Sequence, residues 1–350
     1  MKILVLNAGS FSLKYKLFED SYEKYGSKVD GDPRIAFKKL YDSSPELFLG
    51  LSAIGHRVVN GGSDFSGPTL MTSTNIRKLE KYDSIAPLHN PASISVIKDC
   101  IKQRLQPNYA CFDTSFHQTI AEEAKIIPLP EELIKKHGLR RFGFHGLSHQ
   151  YIAEKNPDTK RLISVHLGQG CSICAIKNGK SIDISMGFSP LEGVPMVNRS
   201  GNIDPALVLY LQKEASLNPD RLNQLLNNES GIAAVAGVDG DFRKILFAAG
   251  YKVEDPHFGS YDLNFTDKQK KSAKLAISFF VYQIAKTIGG YITALGGIDK
   301  IVFTGEIGAG SSVIREKIMA YFDYLDKIKF EGMYTNEELM IAQGVKKCLR

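Results

Sequence analysis

Short apolar runs bounded by glycine-containing turns recur along the chain, and they predict strands first. Ile3 to Leu6, the turn Asn7-Ala8-Gly9-Ser10 and Leu13 to Phe18 read as strand, tight turn and strand. Gly9 supplies the backbone freedom of this hairpin. A polar region punctuated by Pro33 and Pro45 follows. Gly55 to Gly62 (GHRVVNGG) and Ile85 to Pro91 (IAPLHNP) read as loops flanking helical material. Tyr109 to Phe112 predicts a strand ending at Asp113, and Arg140 to Tyr151 (RRFGFHGLSHQY) a loop-rich, histidine-rich stretch. The second half repeats the opening device. Leu162 to Val165 predicts a strand, His166 to Gly170 a glycine turn and Cys171 to Ile176 a returning strand. Asn178-Gly179 then predicts a type I′ hairpin into Ser181 to Ile184. Ile277, Val281, Ile284, Ile288, Ile292 and Leu295 recur at three- and four-residue steps, the stripe of a buried amphipathic helix. Lys300 to Phe303 predicts a strand and TGEIGAGS, from Thr304, a glycine loop leading into a helix from Ser312. Backbone N–H groups there suit an anion.

One glycine hairpin per half predicts two similar α/β domains facing one cleft, a nucleotide clamp. The length agrees, since 350 residues exceed the size at which single cores stop growing, roughly 250–300 residues. With 43% hydrophobic and 23% charged residues, a disordered chain is excluded. The net charge of +6 has no basic stripe behind it. Its densest cluster, Lys268 to Lys274, is punctuated by Gln269, Ser272 and Ala273, so no nucleic-acid partner is expected. Met1 opens on a strand-like run instead of a signal pattern. Leu275 to Leu295, interrupted by Gln283 and Lys286, reads as falling short of a membrane span. The expectation is therefore a cytoplasmic protein with no membrane partner, and an odd five cysteines suit a reducing compartment. Cys171 and Cys174, with His166 upstream, do not read as a zinc site. Residues three apart on a strand face opposite ways, and no second cysteine pair completes it.

Six of the eight histidines (His56, His89, His117, His145, His149 and His166) lie in short segments dense in Gly, Pro, Asn, Asp or Arg, where loops carry chemistry. No Walker-type loop and no dinucleotide-binding glycine fingerprint occurs. What remains is a phosphate site made from hairpin turns.

The chain resembles the acetokinase family, which holds acetate, propionate and butyrate kinases. The matching segments are NAGSFSLKYKLFE at Asn7, GHRVVNGG at Gly55, APLHNPAS at Ala86, FDTSFHQT at Phe112 and RRFGFHGLSHQY at Arg140. They continue with HLGQG at His166, RSGNIDP at Arg199, DFR at Asp241 and TNEELMIA at Thr335, in the family's order. The resemblance implies two ribonuclease-H-like α/β domains of the actin, Hsp70 and sugar-kinase type flanking an active-site cleft. Residues 1–117 with 339–350 would form the first and 118–338 the second. It also implies reversible transfer of the ATP γ-phosphoryl group to acetate, giving acetyl phosphate and ADP, with Mg²⁺ or in its place Mn²⁺, in a homodimer. Alternatives are a propionate or butyrate preference, or a nucleotide-binding homologue with impaired catalysis.

Residue by residue, Arg57 and Arg199 correspond to the family's two essential arginines, Arg57 binding substrate. His145 corresponds to its transition-state histidine, Asp113 to its catalytic aspartate, and Asn7 and Glu337 to its magnesium positions. ATP contacts correspond to Lys14, to His166, Leu167, Gly168, Gln169 and Gly170, to Asp241, Phe242 and Arg243, and to Glu306, Ile307, Gly308, Ala309 and Gly310. Phosphoryl transfer between two anions calls for cations and alignment, and a guanidinium can grip carboxylate and phosphoryl oxygens in a bidentate way. Departures from the family pattern include Phe11 for serine, Asn60 for histidine, Gln169 for asparagine, Asn202 for aspartate, and TGEIGAGS for TAGIGENS or TGGIGENS. The stretches before Arg57 and between Arg315 and Thr335 are abbreviated, and the region from Tyr251 to Lys271 is extra.

Overall fold

A computed structural model describes residues 1–9, 12–87, 89–105, 107–253, 263–325 and 328–350. Ser10 of the expected first turn, the departure at Phe11, Leu88, and 254–262 of the extra region with His257 lie outside them. The chain divides into two compact units, Met1–Lys155 with Thr335–Arg350, and Asn156–Tyr334. Residues 118–155 and 335–338, expected with the second half, pack in the first unit.

The first unit is built on strands β1 (Lys2–Ala8), β2 (Ser12–Glu19), β3 (Tyr22–Asp30), β4 (Ala53–Val58), β5 (Thr69–Leu70) and β6 (Asn108–Phe112), in the order β3-β2-β1-β4-β6-β5. β1, β2 and β3 pair antiparallel, while β1, β4 and β6 run parallel. Alternation along β1 sends Leu4, Leu6 and Ala8 into a core with the helix Pro33–Ser43, and Ile3 and Val5 into a core with the helix Glu337–Cys348. The sheet is therefore covered on both faces. The abbreviated stretch before Arg57 still holds β3 and the helix Pro33–Ser43.

GHRVV, expected as loop, is mostly β4. Its central polar residues hid a strand whose partners are long-range. The buried His56 Nε2 meets Asn108 Oδ1 on β6 at 2.8 Å. A Cβ on Gly55 would lie 2.6 Å from Ile341 Cγ2, so the bare backbone lets the terminal helix close on the sheet. Two further expected loops are partly helical. Asn90–Lys102 opens with Pro91 in its first turn, and Gly146–Lys155 takes the second half of RRFGFHGLSHQY.

The second unit holds β7 (Arg161–Leu167), β8 (Cys171–Lys177), β9 (Lys180–Ile184), β10 (Lys300–Thr304) and β11 (Lys329–Gly332), ordered β11-β10-β7-β8-β9. Numbered within each unit, and setting aside the edge strand β5, both sheets read third, second, first, fourth, fifth. In both, three antiparallel strands precede two that run parallel to the first. That repeat makes each unit ribonuclease-H-like. Asn178 and Gly179 have φ of 49° and 76°, as a type I′ turn requires. β11 lies in the abbreviated stretch, so the sheet keeps five strands.

Two expectations are corrected here. Most of TGEIGAGS is a helical segment, Gly305–Gly310, and not a loop. Arg315 Nη1 donates to the Gly308 and Ala309 carbonyls at 2.9 and 2.7 Å, satisfying groups that glycine propensity alone would leave open. The helix Asp267–Leu295 is, by length and composition, apolar enough to cross a membrane. Its buried side chains instead pack on β8, β7 and the helices Gly231–Ala236 and Phe242–Ala248.

Candidate active site

The parallel strands β1, β4 and β6 end on one side of the first sheet, and each delivers a polar residue there. Asn7 lies near the end of β1, Arg57 near the end of β4, and Asp113 directly after β6. In open sheets with parallel strands, ligands bind at these carboxyl ends. Glu337 and Glu338 open the terminal helix, which Asn336 caps through Leu339 N at 3.0 Å. Arg57 grips Asp113 with Nη2 at 2.6 Å and Nε at 3.1 Å from Oδ2, while its Nε lies 3.8 Å from Glu337. Asn7 Nδ2 donates to Glu338 Oε1 at 2.9 Å. Arg57 Nη1 reaches Asn7 Oδ1 at 3.5 Å. Burial opposes the charge on Arg57, but the carboxylates of Asp113, Glu337 and Glu338 outweigh it. The guanidinium is held above its ordinary pKa. Glu338 was not anticipated from the sequence. Its signal was adjacency to Glu337 in TNEEL.

His145 sits beside this cluster through its neighbour. Gly146 N donates to the Asp113 carbonyl at 2.9 Å, and a Cβ on Gly146 would collide with that oxygen. His145 itself has φ of 56°, a left-handed conformation unusual outside glycine. His117 Nε2 bonds to the carbonyl of Phe144, one residue before it, at 3.0 Å. His56 and His117 are buried, and burial lowers each to a pKa of about 4, so both are neutral structural groups. His149 is buried with its ring 5.9 Å from that of His117. His89 precedes the helix Asn90–Lys102 without a side-chain cap bond. Lys14 faces Asn7 in the β1–β2 register and is exposed.

Two departures keep their loops by other bonds. Asn60 Oδ1 accepts from Gly62 N at 2.7 Å, and its backbone exchanges two bonds with Asn90. Its buried Nδ2 has no partner among the described residues. Asn202 Oδ1 accepts from Gly193 N at 2.8 Å, a bond an aspartate would also make.

In the second unit a cavity of about 820 Å³ is lined by Gln169, Asp241, Phe242, Arg243, Glu306, Ile307 and Gly310, among others. These come from three of the segments anticipated as nucleotide contacts. Asp241 caps the helix Phe242–Ala248 and pairs with Arg243 at 2.7 Å, a bond that lowers its pKa. Gly305 has φ of 75°, and a Cβ there would lie 2.5 Å from Leu167 O and 3.2 Å from His166 Nε2. The start of the Gly305–Gly310 segment therefore rests on the turn that runs from His166 to Gly170, itself closed by Gly168 N donating to Gly170 O at 3.0 Å. Gly308 and Ala309 hold this segment's end through Arg315. Among the described residues Arg199 Nη1 reaches Pro190 O at 3.4 Å and Met196 Sδ at 3.9 Å, and the side chain has no carboxylate partner. Burial lowers its pKa. No group of three or more metal-ligating side chains of the His, Cys, Asp and Glu type occurs among the described residues. Cys171 and Cys174 are both buried and form no disulfide.

A model of the acetokinase family matches residues 34–347. An acetate kinase of Clostridium botulinum is 35% identical over 410 aligned positions, covering 99% of this chain and 99% of that protein. The alignment is longer than the 350 residues here, so that relative carries internal residues which this chain lacks. Among solved structures, the acetate kinase of Porphyromonas gingivalis is 31% identical with a TM-score of 0.86, covering 100% of both chains. A propionate kinase from Francisella tularensis is 32% identical with a TM-score of 0.86, covering 98% of both. The family match and the full-length identity, on a fold with the same paired sheets, mean that this chain belongs to the acetokinase family, phosphotransferases with a carboxyl group as acceptor.

Proposed function

We propose that this enzyme transfers the γ-phosphoryl group of ATP reversibly to acetate, giving acetyl phosphate and ADP. The observation that carries the reading is the cluster of Asn7, Arg57, Asp113, Glu337 and Glu338 at the strand ends of the first sheet, with oxygen donors gathered around one guanidinium. A carboxylate oxygen of acetate attacks the γ-phosphorus. The bond from that phosphorus to the β,γ-bridging oxygen breaks, and ADP leaves with the electron pair. Acetate is already ionised at neutral pH and needs no base. The work is orientation and charge stabilisation.

In this reading Arg57 binds the acetate carboxylate, and Asp113, held against Arg57, orients the guanidinium and the reacting groups. His145 donates to the phosphoryl oxygens in flight, and Arg199, a half-buried cation with no carboxylate partner among the described residues, supplies charge to the phosphoryl group. Lys14, the His166–Gly170 turn, Asp241 to Arg243 and the backbone of Glu306 to Gly310 hold the nucleotide, and the cavity has room for it. Mg²⁺, or Mn²⁺ in its place, fits the donor set. Asn7 offers an amide oxygen, Glu337 and Glu338 offer carboxylates, and Asp113, Glu337 and Glu338 against Arg57 and Lys16, the latter 3.9 Å from Glu338, still leave an excess of negative charge. Hard oxygen donors, few in number and completed by water and phosphate, are what Mg²⁺ takes. When bound, the metal neutralises charge on the phosphates.

A homodimer is proposed with the family. Leu275, Phe279 and Tyr282, exposed at i, i+4 and i+7 on one helix, offer apolar surface for it. A cytoplasmic location is proposed on the same footing. The test is hydroxamate formation with ATP and Mg²⁺ and either acetate, propionate or butyrate. Acetate is expected to give the highest kcat/KM. A higher value for a longer acid would reassign the substrate, and turnover with none of them by folded protein would remove the kinase reading.

A further inference from the structure

The cavity of the second unit carries a charge that a polyphosphate would be expected to avoid. Glu306 lines it with an exposed side chain and forms no ion pair among the described residues. The other charged residues lining that cavity are Asp241, Arg243 and Lys252. Asp241 and Arg243 neutralise each other at 2.7 Å. Lys252 and Glu306 are left, so the described residues lining the cavity carry no net positive charge with which to draw in an anion. In the TAGIGENS pattern named above, glycine stands at the position of Glu306. Its backbone begins one residue after Gly305, which rests on Leu167 O and approaches His166 Nε2. That places it next to the turn read above as the phosphate holder.

We propose that Glu306 is a specificity-determining residue that makes this site discriminate against metal-free nucleotide in favour of the magnesium complex. This rests on the reading of the cavity as the nucleotide site. Two like charges a few ångströms apart at intermediate dielectric change a binding constant by about tenfold. A cation bound to the phosphates removes most of that repulsion, so the penalty falls selectively on the free polyanion. The carboxylate thereby acts as a filter on the charge state of the nucleotide.

The experiment is calorimetric titration of the full-length protein and of Glu306→Gln with ADP, once in excess Mg²⁺ and once in EDTA, and with adenosine as an uncharged control. The glutamine keeps the side-chain volume and removes the charge. Glu306→Gln is expected to bind metal-free ADP about tenfold more tightly than the original protein. Its affinity for the magnesium complex should change by less than about threefold and its affinity for adenosine not at all. Glu306→Gly should shift in the same direction. Weaker binding of ADP or adenosine by Glu306→Gln would overturn the proposal, because the carboxylate would then be a hydrogen-bond acceptor for the nucleoside. Equal gains for both forms of ADP, or no gain, would overturn it as well. Failure of the original protein to bind ADP in either buffer would remove the nucleotide reading of the cavity, and this inference with it.

Discussion

Gly146 rests on the backbone of Asp113. Its amide donates to the Asp113 carbonyl at 2.9 Å, and no side chain would fit between them. Because His145 precedes that glycine and holds φ of 56°, the two proposed catalytic groups share one backbone contact. Gly146→Ala should push the His145 turn away from Asp113. Turnover is expected to fall on the order of 100-fold, since misplacement by about an ångström costs that much, while unfolding stays cooperative. Steady-state kinetics checks it, and a kcat near that of the original protein would show the contact to be dispensable.

The two arginines should behave differently when removed. Arg57 is paired with Asp113, which is only 1% exposed, whereas Arg199 is desolvated without a carboxylate partner among the described residues. Arg57→Ala takes the guanidinium away from a buried carboxylate and should cost about 3 kcal/mol of stability as well as activity. Arg199→Ala should abolish turnover yet leave stability within about 1 kcal/mol, or raise it, because relieving an unpaired functional charge is stabilising. Urea unfolding of both variants beside kinetic assays separates the cases. Equal stability losses would contradict the pairing described here.

Glu338 and Asn7 offer a test of the proposed metal position. Glu338→Gln retains an oxygen for the Asn7 amide, which now donates at 2.9 Å, but removes one negative charge. Stability should change by no more than about 0.5 kcal/mol, while the Mg²⁺ concentration for half-maximal turnover should rise on the order of tenfold. A Mg²⁺ titration of initial rates measures it. An unchanged half-saturation point would take Glu338 out of the metal's surroundings.

His56 and His117 make stability depend on pH. Burial lowers both to about 4, whereas the same groups in the unfolded chain take up protons near pH 6.5. Between those values the unfolded state binds more protons. Stability present above pH 6.5 is therefore lost as pH falls toward 4, by a few kcal/mol in all. Urea unfolding at pH 7.5, 6 and 4.5 should show the decline, and His56→Gln should flatten roughly half of the histidine part. A level profile across that range would mean that these rings are not buried neutral.

The repeated strand–turn–strand pattern is readable from apolar runs and the glycine turns between them, the Asn178-Gly179 turn from its residue pair, and the stripe on the helix Asp267–Leu295 from its three- and four-residue steps. Periodicity and turn chemistry are local, so a sequence carries them openly. β4 was not readable, because Gly55, His56 and Arg57 break its apolar pattern. Each is accounted for only by something distant: the terminal helix for Gly55, Asn108 for His56, and Asp113 for Arg57. The helical form of Gly305–Gly310 likewise depends on Arg315, which no count of glycines reveals.

The candidate site divides in the same way. Motif order identified Asn7, Arg57, Asp113, His145, Arg199 and Glu337 as residues of interest and left their partners open. By itself the sequence determined which short segments form strands, turns and amphipathic helices, and which family's motifs they carry. Only the tertiary structure decided that Arg57 is held by Asp113, that Glu338 bonds Asn7, and that Glu306 faces the cavity of the second unit. The reason is physical. Strand ends meet through parallel pairing across tens to hundreds of residues, and the charge balance of a site exists only once those ends are side by side.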